Sequence, residues 1–333
     1  MPFFMRLASL VLLATGLFSF GANPGRPTSP PVSMPRYQHF FVIAEENHEY
    51  GQIIGNPVAP MLNSLARTYG LATNYYGVIH PSEGNYVALL GGSSYRITND
   101  NPYYTHTIAQ PSLANQLEGA RLTWKGYFQS MPSAGFKGTC YPATCGGTSD
   151  IDPLYVSKHN GFLNFASIQN NQAELLKLVP IWQLNSDLLT GQVPNFSLIV
   201  PDQCYDMHGA PPQCPDAGLP GSPSDNFLVN QADTYAGILV NWITSSPLWM
   251  RGNNAIVITW DEGSTALGCC AANPGGGHVA TIVITSHGPR AKLDSTSYNH
   301  YSLLLTIERA FGVGCLQFTC QTANVRTMTP LFT

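Results

Sequence analysis

Hydrophobic residues in this chain gather in short unbroken runs. Phe40 to Ala44, Phe196 to Val200, Ala255 to Thr259 and Ala280 to Thr285 carry few polar side chains and are rich in β-branched or aromatic residues. A strand wetted on one face alternates apolar with polar positions, so runs of this kind predict strands buried on both faces. Between them the spacing turns helical. Pro60 stands at the start of Met61 to Tyr69, Ser112 can cap Leu113 to Ala120, and Asn226 to Ser245 spaces Phe227, Ala232, Ile238 and Trp242 along a helix. Strands alternating with helices over this length predict an α/β fold: a doubly wound, mostly parallel sheet with helices on both faces, in a single domain.

The N-terminus departs from that pattern. Met1 to Arg6 carries one positive charge, and Leu7 to Phe20 is an apolar run without an acidic residue. The layout predicts a signal peptide over residues 1–21, with Ser19 and Gly21 as the small residues at the cleavage site. The run is shorter than the ~20 residues a membrane helix needs. A retained N-terminal helix is the alternative. A Pro/Ser/Gly-rich linker then spans 22–36, leaving 37–333 as the catalytic domain. The eight cysteines support export, because they fall in close pairs: Cys140 with Cys145, Cys204 with Cys214, Cys269 beside Cys270, and Cys315 with Cys320. Zinc ligation competes with disulfides, but no pair has two-residue spacing. Cys269 and Cys270 stay reduced or pair elsewhere if a bond between neighbours is too strained. Four cysteines lie in Gly- and Pro-rich stretches near 129–170 and 203–225, which read as stapled insertions close to the site. These features predict a secreted or periplasmic protein.

Composition narrows the classes further. The chain is 44% hydrophobic and 10% charged, with 31 Gly and 26 Pro, which fits a loop-rich globular enzyme rather than a coiled coil or a disordered chain. A formal charge of -4 without any run of Lys or Arg argues against a nucleic-acid partner.

In an open parallel sheet, ligands gather beyond the carboxyl ends of the strands. Three apolar runs end in polar clusters. Phe40 to Ala44 leads to Glu45, Glu46 and Asn47; Phe196 to Val200 leads to Asp202, Asp206 and His208; Ala255 to Thr259 leads to Asp261 and Glu262. Each carboxylate alone could be a solvated loop residue. Together at one sheet edge they would repel one another unless a cation offset them. Glu46, Asn47, Asp261 and Glu262 offer oxygen donors, which suit a hard divalent ion such as Mg²⁺, Ca²⁺ or Mn²⁺. Ser82, in His80-Pro81-Ser82-Glu83-Gly84-Asn85, precedes the helix-like Tyr86 to Leu90. It is a candidate nucleophile facing the helix amides, or an ordinary N-cap. Among nine histidines, His159, His208, His278 and His300 sit in polar settings from which they could bind phosphate or protonate a leaving group. Gly275-Gly276-Gly277 matches neither a Walker nor a dinucleotide loop and reads as a flexible turn.

At these residues the chain resembles the phosphoesterase family of bacterial acid phosphatases and phospholipases C, within the alkaline-phosphatase-like superfamily. The blocks come in order: Glu46-Asn47-His48-Glu49-Tyr50, His80-Pro81-Ser82 with Asn85-Tyr86, Lys158-His159-Asn160, Val200-Pro201-Asp202 with Asp206-Met207-His208, Thr259-Trp260-Asp261-Glu262-Gly263, and Tyr298-Asn299-His300-Tyr301-Ser302-Leu303-Leu304. The resemblance implies an alkaline-phosphatase-like fold. It implies a metal held by Glu46, Asn47, Ser82, Asp261 and Glu262, with Ser82 as nucleophile. His159, Asp206 and His208 would line the phosphate pocket, with Asp202, His278 and His300 as supporting residues. Zn²⁺ then joins the three hard ions as a possible cofactor. The expected substrate is a phosphate-ester small molecule or a phospholipid head group, and no stable membrane span is expected. Chain length and a serine nucleophile favour an acid phosphatase acting through a phosphoserine. The alternatives are a phospholipase C or other phosphodiesterase at the same site, and a secreted binding protein without turnover. Relatives commonly have Ser where Glu49 stands and Pro where Gly84 stands, so the surroundings of the nucleophile differ.

Overall fold

The four apolar runs lie side by side in one sheet. The computed structural model describes residues 1–3, 33–142, 145 and 152–333. Residues 4–21 of the expected leader and 22–32 of the expected linker lie outside the described residues. In chain order the strands are β1 (His39–Glu45), β2 (Gly70–Tyr76), β3 (Trp124–Phe128), β4 (Cys140–Tyr141), β5 (Tyr155–Val156), β6 (Leu178–Pro180), β7 (Phe196–Val200), β8 (Asn254–Trp260), β9 (His278–Thr285), β10 (Lys292–Asp294) and β11 (Tyr298–Asn299). Nine of them form the main sheet in the order β10-β2-β9-β8-β1-β7-β3-β6, with β11 also on β2. β4 and β5 make a separate antiparallel pair.

β1 runs parallel to β7 and β8, placing Ile43 opposite Ile199 and Ile258. β7 and β8 are buried at every position, so both sheet faces are covered. One strand breaks the parallel rule: β9 is antiparallel to both β8 and β2. The start of β9 therefore lies at the same edge as the carboxyl ends of β1, β2, β7 and β8.

The helices begin where local chemistry allows. Pro60 opens Pro60–Thr68, and the Asp233 carboxylate accepts from Met61 N–H (3.0 Å) and Leu62 N–H (2.7 Å). Ser112 and Asn115 form a capping box at the start of Leu113–Gly119. The long helix starts before the expected Asn226, at Pro223, because Ser222 accepts from Asp225 N–H there; such a cap is worth about 1 kcal/mol. Asp225 also receives His48 Nε2 at 2.9 Å, which ties the loop after β1 to this helix.

All four cysteine pairs are disulfides, Cys269–Cys270 included. Among the described residues no helix is long and apolar enough to cross a membrane.

Candidate active site

Three backbone segments converge at the carboxyl edge of the sheet. The first is the end of β1. Strand alternation sends Glu45 and Glu46 to opposite sides, so only one of the two adjacent carboxylates reaches Ser82. Glu46 Oε2 accepts from Ser82 Oγ at 3.0 Å, and Oε1 accepts from Tyr86 Oη at 2.8 Å. The second segment is the end of β8, where Asp261 Oδ1 accepts the Asn47 N–H at 3.2 Å. Asn47 holds a left-handed φ of 53°, a conformation that Asn tolerates better than most residues.

The third segment runs from β2 to the helix Glu83–Gly91. Gly77 lets it approach Asp261, since a Cβ there would lie 2.7 Å from Gly276 O and 2.9 Å from Asp261 O. The 275–277 glycines are accordingly not a free turn. They pack backbone to backbone, with Gly276 N–H on Gly77 O (3.0 Å) and Gly263 N–H on Gly276 O (2.7 Å). Asn85 locks the segment: its Oδ1 accepts from Val78 and Ile79 N–H, and its Nδ2 donates to Ile79 O (2.7 Å) and Glu262 Oε2 (3.2 Å). Ser82 occupies the N-cap position, yet its side chain caps no amide. Its hydroxyl is spent on Glu46, and Asp100 Oδ1 receives the Glu83 N–H instead, at 3.1 Å.

The electrostatics follow from crowding acids out of water. Burial holds the Glu46 carboxyl well above the usual range, and Asp261 adds to the shift. Asp261 is pushed up in turn by burial and by Glu262, and its Oδ2 is buried without a hydrogen-bond partner. Glu262 is raised by burial, although His80 Nδ1 lies 2.8 Å from its Oε2. Hydrogen bonding to Glu262 raises His80 to about 9.

His159 stands between two acids, with Nε2 3.1 Å from Glu46 Oε1 and Nδ1 3.2 Å from Asp206 Oδ2. Nε2 and Asp206 Oδ2 nonetheless make no hydrogen bond. Burial, Lys158 and His208 hold His159 well below the ordinary imidazole range, while burial and Glu46 hold Asp206 well above its own. His208 Nε2 lies 3.2 Å from the Lys158 ammonium, and burial pushes this imidazole down to about 4. Glu46, His159 and His208 offer ligand atoms within 4.8 Å of one another.

The supporting candidates are placed differently. His300 Nε2 donates to Asp261 O, and its Nδ1 lies 3.0 Å from Tyr75 Oη, so it underpins the strand end. Asp202 shapes its own turn, accepting from Ser130 Oγ (2.6 Å) and Cys204 N–H (3.1 Å). His278 stacks on Tyr50 with ring centroids 4.7 Å apart and contacts Thr73 O, away from the Glu46–Ser82 pair. Tyr86, Asn85, His80, Asp100 and Lys158 were not singled out as site residues by sequence. Four of these sit inside or beside the motif blocks; Asp100 carries no local signal.

Structural comparison places the fold. A protein of the alkaline phosphatase superfamily from Vibrio parahaemolyticus matches with TM-score 0.57 at 13% identity, over 92% of this chain and 75% of that one. At such identity the likeness is one of fold. The sequence profile of the Phosphoesterase family matches residues 56–314, and the chain belongs to that family, hydrolases of phosphoric ester bonds. The match begins beyond Glu46 and Asn47. Among curated relatives, the phosphatidylinositol-3-phosphatase of Mycobacterium tuberculosis is 26% identical over 283 residues, 84% of this chain and 79% of that one. The probable acid phosphatase of Kluyveromyces lactis is 27% identical over 279 residues, 82% of this chain but 58% of its own length.

Proposed function

We propose that this chain is a secreted, metal-dependent phosphomonoesterase that works through a phosphoserine on Ser82. The observation that carries the reading is the Ser82 hydroxyl, denied its usual capping role and held 3.0 Å from Glu46 Oε2 at the start of a helix. As the Oγ–P bond forms and the ester P–O bond breaks to release the alcohol, the serine proton passes along that hydrogen bond to Glu46 Oε2. The helix amides and neighbouring His159 favour the phosphoryl oxygens, with His208 holding Lys158 beside them, and water then releases phosphate from the serine. Tyr86 and Asn85 keep Glu46 and Glu262 in place throughout.

The residues present fit a divalent cation. Burial raises Glu46, Asp261 and Glu262, with Asp261 and Glu262 adding to Glu46 and Glu262 to Asp261; Asp261 Oδ2 lacks a partner, and the donors with Asn47 and Ser82 are oxygens. When bound, such an ion supplies positive charge that favours the ionised Ser82 and the phosphoryl oxygens. His159 and His208 form the competing donor group with Glu46, but the Lys158 ammonium already occupies the His208 Nε2 lone pair. The four disulfides support export.

Phosphate release from a monoester and a diester, with and without chelator, tests the reading alongside Ser82→Ala. The expected result is monoester preference, loss under chelation, and abolished turnover in Ser82→Ala with unchanged melting. More than a few per cent residual turnover in that variant would overturn the Ser82 assignment, and diester preference would favour a phosphodiesterase.

A further inference from the structure

Lys158 stands between the acid cluster and a cavity of about 330 Å³ lined by Lys158, His208, Asp100, Thr139, Ser157 and Gln203. Its ammonium lies 3.3 Å from Asp100 Oδ2, and Asp100 Oδ1 caps the Glu83 N–H of the Ser82 helix. The charge is thus tied to the nucleophile's own helix. Burial disfavours the ammonium, but Glu46 and Asp100 outweigh that effect and hold Lys158 above its ordinary range.

His208 makes a poor proton donor here. Its Nδ1 lies 3.2 Å from Gly209 O, an acceptor only, so Nδ1 carries the proton and Nε2 offers its lone pair to Lys158. An ammonium has three protons. Among the described residues Asp100 and His208 accept two of them. The third is available to a ligand in the cavity.

Resting on the phosphomonoesterase reading, we propose that this cavity holds the alcohol part of the substrate and that Lys158 hydrogen-bonds the leaving oxygen. The Ser82 Oγ–P bond forms, the ester P–O bond breaks with its electron pair on the leaving oxygen, and that oxygen takes a proton from water. Lys158 stabilises the charge in between. Such help matters most when the alcohol is weakly acidic, so the enzyme is built for alkyl rather than aryl phosphates.

The test is kcat/KM across a series of monoesters from p-nitrophenyl phosphate to n-propyl phosphate. The wild-type protein should depend only weakly on the acidity of the leaving alcohol. Lys158→Met should lose about 10²–10³-fold on the alkyl ester, the usual cost of one such donor, and far less on the nitrophenyl ester. Lys158→Arg should recover part of the alkyl activity. Equal losses on both esters would overturn the proposal, since Lys158 would then serve the phosphoryl group or the fold. If Lys158→Met does not fold, the wild-type series decides: a steep dependence on the leaving group overturns the proposal and a shallow one supports it. No phosphate release from any ester would fail the underlying reading, and the inference with it.

Discussion

Replacing Tyr86 with Phe removes one hydroxyl and keeps a buried ring. That ring stacks on His159 with centroids 5.4 Å apart and planes 19° from parallel, a contact phenylalanine can keep. The lost group is the donor to Glu46 Oε1 at 2.8 Å. Without it, Oε1 retains only the 3.1 Å approach of His159 Nε2, which is not a hydrogen bond. Tyr86 is also one of the influences that lower the Glu46 pKa, so its removal lets a proton compete better with a cation. A hydrogen bond to a charged group is worth ~1.5–3 kcal/mol, and 1.4 kcal/mol is tenfold, which gives roughly a 10- to 100-fold weaker cation affinity. Losses of that size are usual for groups that orient a metal ligand. Titrating phosphate release with Mg²⁺ or Mn²⁺ should show half-saturation rising by that factor in Tyr86→Phe, most strongly at low pH, with the rate nearly restored at saturating ion. Unchanged half-saturation with a lower rate at every ion concentration would refute the reasoning, because the hydroxyl would then act in the chemical step.

Two further outcomes follow from groups away from the nucleophile. Burial raises the fully enclosed Glu308 to about 8 from an ordinary value of 4.5, and its Oε2 has no partner. The folded state therefore keeps this proton while the unfolded chain loses it, so the contribution to stability is full below about pH 4.5 and is lost as pH rises through about 8. Glu308→Gln should raise the melting temperature more at pH 8 than at pH 5, and an equal difference at both would count against it. For the cysteines, alkylation under non-reducing conditions should label none of the eight. Reduction should cost ~2–3 kcal/mol for a loop as short as the 10-residue Cys204–Cys214 span. Eight labelled thiols in the protein purified without reductant would contradict the bridges.

The strands that sequence revealed are those with both faces buried. Phe40 to Ala44 and Ala255 to Thr259 carry continuous apolar runs because helices cover each side. β2 forms no such run, because Thr73 and Asn74 interrupt it, where the pairing with β9 also shifts register. β6 has only three residues, and β3 holds Lys125, whose amine reaches out to Asp187 at 2.6 Å. Nothing in the residues of β9 encodes its reversed direction, since a buried strand reads alike both ways. Within the site, the rule that polar residues follow strands pointed to Glu46 and Asp261, but it could not separate Asp206, beside His159, from Asp202, which is absorbed in its own turn. His278 follows a glycine run and so attracted attention, yet its ring is occupied by Tyr50 and Tyr76. Asp100 matters through contacts between distant segments, which no local pattern shows, whereas Lys158 lies inside a block whose histidine is the more obvious candidate.

The central claim is that Ser82 carries the phosphoryl group. It is tested most directly by acid-quenching the protein during turnover of a phosphate monoester and mapping the modified peptide by mass spectrometry. The account predicts one phosphate on Ser82, absent in Ser82→Ala. Phosphate on a histidine, or turnover without any phosphorylated serine under conditions that trap acid-stable esters, would contradict it.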